Sequence, residues 1–289
     1  MLETKDFDIA QTLECGQCFR FERLEKGHYQ IIANGRLLNV HQLSENETKL
    51  YYPGENGEFI PIPTSELKEI WIPYFDLQRD YDKIKTTLKK RDSAISKAID
   101  FAPGIRILNQ EPFETIISFI ISQNNRIPQI KKVIKNISQK YGKKLINELY
   151  AFPTVEELSV ATLEELKECR LGFRDVYVID AVEKIRSGAI NLSRDNGMST
   201  AELKASLMQI RGVGEKVAHC ILLFGYSRFD AFPVDVWMRR IMEDLYFGGL
   251  SVKPSEIQKR AETKFGVYSG FAQQYLFHYS RMNPKPRKK

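Results

Sequence analysis

The segment Leu207-Met208-Gln209-Ile210-Arg211-Gly212-Val213-Gly214-Glu215-Lys216-Val217-Ala218 limits this chain more than any other. One helical pattern ends near Gln209 and a second begins at Glu215, so two glycines one residue apart must turn the chain between them. Glycine at 212 and 214 permits positive φ and close approach of backbone to another surface. The free N–H groups that open the second helix then face outward at the positive end of its dipole. Such an arrangement grips a phosphate without reading base sequence. A lone G-x-G is also an ordinary helix-to-helix turn; helical periodicity on both flanks favours a helix–hairpin–helix at about 203–224.

The rest of the chain has two characters. The first hundred residues read as strand-rich. His28–Ala33 leads into Asn34-Gly35 and then Arg36–Val40, a strong hairpin cue. Pro53-Gly54-Glu55-Asn56-Gly57 is a second turn, and Pro61-Ile62-Pro63 argues against a central strand there. From Tyr81 the spacing of Ile84, Leu88, Ile95 and Ile99 is helical. The stretch Phe113–Asn124 is too apolar all round for a surface helix. Further helices are expected at about Thr154–Cys169, Asp175–Ser187, Thr200–Gln209, Glu215–Phe224, Asp235–Leu245, Ser255–Phe265 and Ser269–Tyr279. The expected class is α+β: an N-terminal antiparallel sheet domain over 1–108, then an all-α domain over 109–289.

Net charge is +6, from 43 basic and 37 acidic residues, so distribution matters more than the sum. Arg126, Lys131, Lys132, Lys135, Lys140, Lys143 and Lys144 follow one another with no acid between them. The C-terminal Arg281-Met282-Asn283-Pro284-Lys285-Pro286-Arg287-Lys288-Lys289 is similarly basic. Such blocks suit a polyanion. No apolar run of ~18 residues predicts a membrane span, and the charged N-terminus lacks a secretion signal, so cytoplasm is the expected compartment. Cys15-Gly-Gln-Cys18 is a C-x-x-C with no second pair to complete a zinc site, and the four histidines lie scattered without ligand spacing. Free thiols, no metal centre and no cofactor are therefore expected.

Nineteen residues beyond Lys216 stands Phe232-Pro233-Val234-Asp235-Val236. Alone, Asp235 reads as a helix N-cap. Taken with Gly-Val-Gly-x-Lys at this distance, it resembles the helix–hairpin–helix (HhH-GPD) glycosylase superfamily, with its Gly/Pro-rich loop and distal aspartate. In that family the lysine is present in enzymes that both remove a base and nick the strand. A lysine amine can attack the anomeric carbon and form a Schiff base, while a carboxylate steadies the oxocarbenium charge that develops on the sugar. The resemblance thus implies Lys216 as nucleophile and Asp235 as its electrostatic and proton-handling partner.

Five further stretches resemble 8-oxoguanine DNA glycosylase/AP lyases in particular. They are Leu13-Glu14-Cys15-Gly16-Gln17-Cys18-Phe19-Arg20, Tyr74–Tyr81, Phe119-Ile120-Ile121-Ser122-Gln123-Asn124-Asn125, Leu171-Gly172-Phe173-Arg174 and Phe271–Phe277. The resemblance covers nearly the whole chain, and it implies a monomer acting on double-stranded DNA that contains 8-oxoguanine. It assigns the Gly16 carbonyl to N7–H of the lesion, Phe277 and Cys220 to the two faces of the flipped base, and Gln273 to its Watson–Crick edge. Asn124, Phe173 and Arg174 are assigned to the vacated space and the opposite cytosine, and Gly212 and Gly214 to a phosphate. The chain departs from the family at three positions. Gln129 replaces an arginine that reads cytosine, Trp237 replaces a phosphate-contacting histidine, and Ser280 stands near a second pocket aspartate. Enzymes with an iron–sulfur cluster would need four C-terminal cysteines, and none follows Cys220. A hairpin that only binds DNA is the competing class; substitution of Lys216 separates the two.

Overall fold

The computed structural model describes residues 2–284; Met1 and residues 285–289, which hold Lys285, Arg287, Lys288 and Lys289 of the basic tail, lie outside them. The N-terminal part is built on an antiparallel sheet. Its strands are β1 (Leu2–Glu3), β2 (Phe21–Glu25), β3 (His28–Ala33), β4 (Arg36–Ser44), β5 (Glu47–Pro53) and β6 (Phe59–Pro61), in the order β1-β5-β4-β3-β2, with β6 also on β5. The Asn34-Gly35 turn forms as expected. Both residues have positive φ (50° and 66°), which matches the right-handed twist of the strands they join. That turn pairs Ala33 with Arg36 and, at the far end, His28 with His41. Two histidines that look scattered in sequence therefore stack, with ring centroids 4.7 Å apart.

Alternation along β3 sends Tyr29, Ile31 and Ala33 into a core with Ile9, Leu13, Trp71, Tyr74 and Phe75, and leaves His28, Gln30 and Ile32 on the opposite face. After the sheet, helical structure resumes at residue 64, earlier than the pattern from Tyr81 suggests. Residues 64–74 coil continuously, with a wider turn over Leu67–Trp71. The fully buried Trp71, its indole donating to Tyr52 Oη at 2.9 Å, anchors this segment under the sheet.

α1 (Ile9–Glu14) packs under the sheet and belongs to its core. The longer helices share a second core: α2 (Tyr81–Arg91), α3 (Ser93–Phe101), α4 (Pro112–Ser122), α5 (Ile127–Tyr141), α6 (Asp175–Arg186), α7 (Thr200–Leu207), α8 (Glu215–Phe224), α9 (Val236–Tyr246), α10 (Pro254–Phe265) and α11 (Ser269–Met282). The helical core takes in Tyr81, Ile84, Leu88, Ile95 and Ile99 from α2 and α3 as well as the later helices. α4 is buried on every side, as its composition requires.

The expected single helix over Thr154–Cys169 is broken. Val155–Leu158 and Leu163–Glu168 are separate, each opened by a threonine whose side chain caps a glutamate amide three residues on. Thr162 bonds the Glu165 N–H and Glu165 returns the bond, so the chain restarts a helix there instead of continuing one. A small hairpin, β7 (Lys144–Ile146) and β8 (Leu149–Tyr150), ends the basic stretch and was not legible in the pattern.

The basic run itself is partly neutralised. Lys140 pairs with Glu168 at 2.6 Å, Lys144 with Glu148 at 3.1 Å, and Lys131 bonds the Phe21 carbonyl at 3.0 Å. Folding thus supplies the acids that the segment lacks. All four cysteines are free thiols. Burial pushes Cys15 up to about 12 and raises Cys18 further, so neither is a thiolate at neutral pH. Among the described residues no helix is long and apolar enough to cross a membrane.

Candidate active site

The hairpin joins α7 to α8 as the glycines require, but the two glycines differ. Gly212 has φ +80°, and a Cβ there would fall 2.4 to 2.8 Å from the Tyr177 ring. Gly214 is extended (φ −91°, ψ −178°) at the N-cap of α8, and a Cβ there would meet nothing within 4 Å. Only Gly212 is demanded by the chain's own folding; the space beside Gly214 lies open next to the first amides of α8. Asp180 on α6 accepts the Arg211 N–H at 2.7 Å and pairs with Lys184. Burial works to raise the Asp180 carboxyl, but Lys184 and the Arg211 amide together hold it below the usual range. We expect Gly212→Ala to lose about 2–4 kcal/mol, from positive-φ strain and the Tyr177 overlap together. Gly214→Ala should leave stability nearly unchanged and weaken DNA binding instead. Denaturant unfolding and a DNA titration on both variants check this.

Lys216 is the second residue of α8, half-buried, with Nζ 5.6 Å from the centroid of Phe119. Phe119 stacks on Phe224 and meets Phe19 edge-on, which makes an aromatic wall beside the amine. One turn further along α8, Cys220 is buried. Burial raises its thiol, the Lys216 ammonium acts against that rise by charge and hydrogen bond, and the Asp235 carboxylate adds to it. Cys220 thus lies within electrostatic reach of both Lys216, at the start of α8, and Asp235, just before α9. Asp235 is the N-cap of α9 and accepts the Met238 N–H at 2.7 Å, which fixes its carboxylate in place. Gln258 of α10 braces α8 from behind, bonding His219 Nδ1 at 3.1 Å and the Phe232 carbonyl at 2.8 Å.

A second group meets where the segment after α1 crosses α11. Gly16 has φ +91°, and a Cβ there would lie 3.4 Å from Phe277 Cε1 and 3.5 Å from Arg281 Nη1. Gln273 and Phe277, four residues apart, share one face of α11. Gln273 is 6% exposed, and its Oε1 has no partner among the described residues. Phe277 packs half-buried against the helical core.

The residue that fixes this loop is Gln17, quoted in the motif but given no role by sequence reasoning. It is fully buried, donates to the Thr12 carbonyl at 2.7 Å and the Arg106 carbonyl at 2.8 Å, and accepts the Leu108 N–H at 2.8 Å. A glutamine inside an apolar stretch between two cysteines is the signal that could have found it, because buried amides need partners. Arg281, so close to Gly16, was also missed.

The residues assigned to the opposite base come from the α4–α5 connection and the segment before α6. Asn124 is exposed with φ +47°, just past the end of α4. Phe173 is 54% exposed, meeting Tyr177 edge-on. Gln129 is half-buried in the first turn of α5. Arg174, by contrast, is buried and spent on backbone. It donates to the Gln123 carbonyl from Nε (2.9 Å) and Nη2, to Asn124 O at 3.2 Å and to Leu171 O at 3.0 Å. In this structure Arg174 clamps the loop that carries Asn124 and does not face solvent. Trp237 is 58% exposed in the first turn of α9, and Ser280 is half-buried on α11.

Residues 1–116 match the family described as 8-oxoguanine DNA glycosylase, N-terminal domain, and residues 117–266 match the HhH-GPD superfamily of base excision DNA repair proteins. The chain belongs to that superfamily. Superfamily relatives similar to it include a probable N-glycosylase/DNA lyase of Methanothermobacter thermautotrophicus, 29% identical, with 96% of this chain and 94% of that protein covered. An N-glycosylase/DNA lyase of Saccharomyces cerevisiae is 31% identical over 93% of this chain and 82% of its own. Among solved structures, the Clostridium acetobutylicum 8-oxoguanine glycosylase/lyase, in complex with double-stranded DNA containing cytosine opposite 8-oxoguanine, superposes with TM-score 0.89. It is 43% identical, with 97% of this chain and 94% of that one covered. The α+β class and the order of sheet part and helical part agree with these relatives.

Proposed function

We propose that this protein is a bifunctional DNA repair enzyme that flips 8-oxoguanine out of duplex DNA, excises it, and cleaves the abasic strand through a lysine Schiff base. The observation that carries the reading is Cys220 within electrostatic reach of both Lys216 and Asp235, on the helix that opens directly after the Gly212–Gly214 hairpin. The Lys216 ammonium gives up a proton, its amine attacks the anomeric carbon as the bond to the base breaks, and the base leaves with that proton. The carboxylate of Asp235 steadies the positive charge on the sugar. Loss of a proton from the new C–N linkage opens the sugar to an imine, and β-elimination then releases the 3′ phosphate.

Discrimination is assigned to the Gly16 carbonyl, which accepts N7–H of 8-oxoguanine; undamaged guanine presents an acceptor there and sets two lone pairs against each other. Gln273, with its buried unpaired oxygen, suits the base edge, and Phe277 and Cys220 suit the two ring faces. Asn124 and Phe173 fill the space that flipping leaves, and Arg174 supports Asn124 through the carbonyls it holds. The exposed amides beside Gly214 suit a phosphate of the duplex. The reading takes the enzyme as a monomer acting in the cytoplasm. The test compares base release from a duplex with one 8-oxoguanine opposite cytosine and from the same duplex with guanine. Release from the first alone is expected, and equal rates or none would overturn the reading.

Gln129 offers a neutral amide where the family has a guanidinium. A charge-assisted hydrogen bond exceeds a neutral one by about 1 kcal/mol, so the preference for cytosine should be about fivefold narrower than a guanidinium at this position would give. Gln129→Arg should widen the spread in favour of cytosine. Single-turnover rates on four duplexes check this; strict cytosine selection by the unaltered enzyme would refute it.

A further inference from the structure

Glu25, His28 and His41 lie on the sheet face turned away from the N-terminal core, on an opposite pattern of residues from the buried Tyr29, Ile31 and Val40. One ligand atom from each of the three lies within 4.8 Å of the others. The arrangement is built by backbone. Strand pairing sets His28 opposite both Glu25 and His41. Gly27, at φ +73°, folds the β2–β3 turn so tightly against β4 that a Cβ would fall 3.0 Å from the Gln42 carbonyl, and the Gly27 carbonyl accepts the Gln42 N–H at 2.8 Å. The three side chains thus rise from three adjacent, hydrogen-bonded strands.

The side chains are oriented as well as gathered. His28 Nδ1 lies 3.2 Å from Glu25 Oε1, and its other nitrogen, Nε2, lies 3.0 Å from the Tyr51 hydroxyl. With Nδ1 committed to an ion, Nε2–H donates to Tyr51, the outer hydrogen bond that metal-bound histidines regularly make. Lys49, paired with His41 across β4 and β5, does not occupy the site. Its Nζ is held 4.1 Å from the centroid of Phe59 and 5.6 Å from that of Tyr51.

The geometry points to a surface metal site here, in which Glu25, His28 and His41 bind one divalent ion of the zinc class and pin β2, β3 and β4 together. Two imidazoles and a carboxylate are the donor set that suits Zn²⁺, Ni²⁺ or Cu²⁺ in preference to Mg²⁺ or Ca²⁺. Binding at ~2.1 Å from each ligand requires the atoms to close to ~3.3 Å of one another, a movement of side chains alone. Water completes the coordination. The role is structural: an ion bound to the folded sheet and not to the unfolded chain stabilises the fold by mass action. The site stands apart from Lys216 and depends on no part of the proposed catalysis.

The test is calorimetric titration of ZnCl₂ into the chelator-treated full chain, with a thermal melt at each end. We expect one ion per chain at a dissociation constant on the order of micromolar, weaker than a four-ligand structural site. The midpoint should rise by about 5 °C at hundredfold excess over that constant. His41→Asn should abolish both effects. Glu25→Gln, at an exposed position that the core does not need, should weaken binding at least about tenfold with the apo melting point unchanged. Absence of binding at 100-fold micromolar zinc, or binding that survives both substitutions, would overturn the proposal. The second result would place the ion on other ligands.

Discussion

Replacing Lys216 with glutamine is expected to abolish the adduct that borohydride traps between this protein and a duplex containing one 8-oxoguanine opposite cytosine. Borohydride reduces an imine to a stable amine, so only a chain whose own nitrogen has attacked the sugar becomes fixed to the DNA. Lys216 is the amine beside the buried Cys220 and the capping Asp235. Glutamine keeps most of its length and its packing against Phe119, but it carries no nucleophilic amine. Strand cleavage should fall on the order of a thousandfold or more, with DNA affinity changed by a few-fold only. A half-buried position at the start of a helix tolerates glutamine, so the melting temperature should move little. A trapped adduct from the variant would remove Lys216 from the reaction. Base release at the normal rate without an adduct would leave a glycosylase that uses water. Unchanged binding with no chemistry from either chain would favour the hairpin as a DNA-gripping module alone.

Asp235→Asn should separate the aspartate's two duties. As an N-cap, Asp235 accepts the Met238 N–H, and an asparagine oxygen does this nearly as well, so stability should change by a few tenths of a kcal/mol. In the role proposed for it, as a charge facing the developing oxocarbenium ion, it has no neutral substitute. Loss of such preorganised stabilisation costs about 2.7–4 kcal/mol, a fall of roughly a hundred- to a thousandfold in single-turnover base release. DNA binding should hold or tighten slightly, because a negative charge near the phosphates is gone. Single-turnover rates and a thermal melt of the same preparation check both halves. A variant that melts early and keeps its rate would reduce Asp235 to a cap.

Much of this was legible before any coordinates. Asn34-Gly35 fixes the hairpin, because few other residue pairs accept positive φ at two successive positions. The all-round apolar Phe113–Asn124 stretch had to be a buried helix, and α4 is one. Gly212 could be read as a tight turn from its neighbours alone. What escaped was mostly a matter of partners that are distant in sequence. Residues 154–169 look like one helix until Thr162 and Glu165 are seen to cap each other, a local competition that apolar spacing does not register. The basic run from Arg126 looks bare until Glu148 and Glu168 fold beside it. Gln17 lies within a quoted motif, yet its task depends on Arg106 and Leu108, some ninety residues away.

By itself, then, the sequence determined most of the longer helices, the Asn34-Gly35 hairpin and the turn at Gly212, and its resemblance to a known family marked Lys216 and Asp235 as a pair. The elements follow from local backbone preference, which needs no distant neighbour to be stated. Only tertiary structure decided which groups are spent and which are free. Arg174 carries the charge to read a base, but four bonds to carbonyls hold it inside the loop. His28 and His41 stand equally far from the Asn34-Gly35 turn, and it is the pairing register that makes neighbours of them. Side-chain availability is set by what packs against it, and a linear sequence does not record that until the chain has closed.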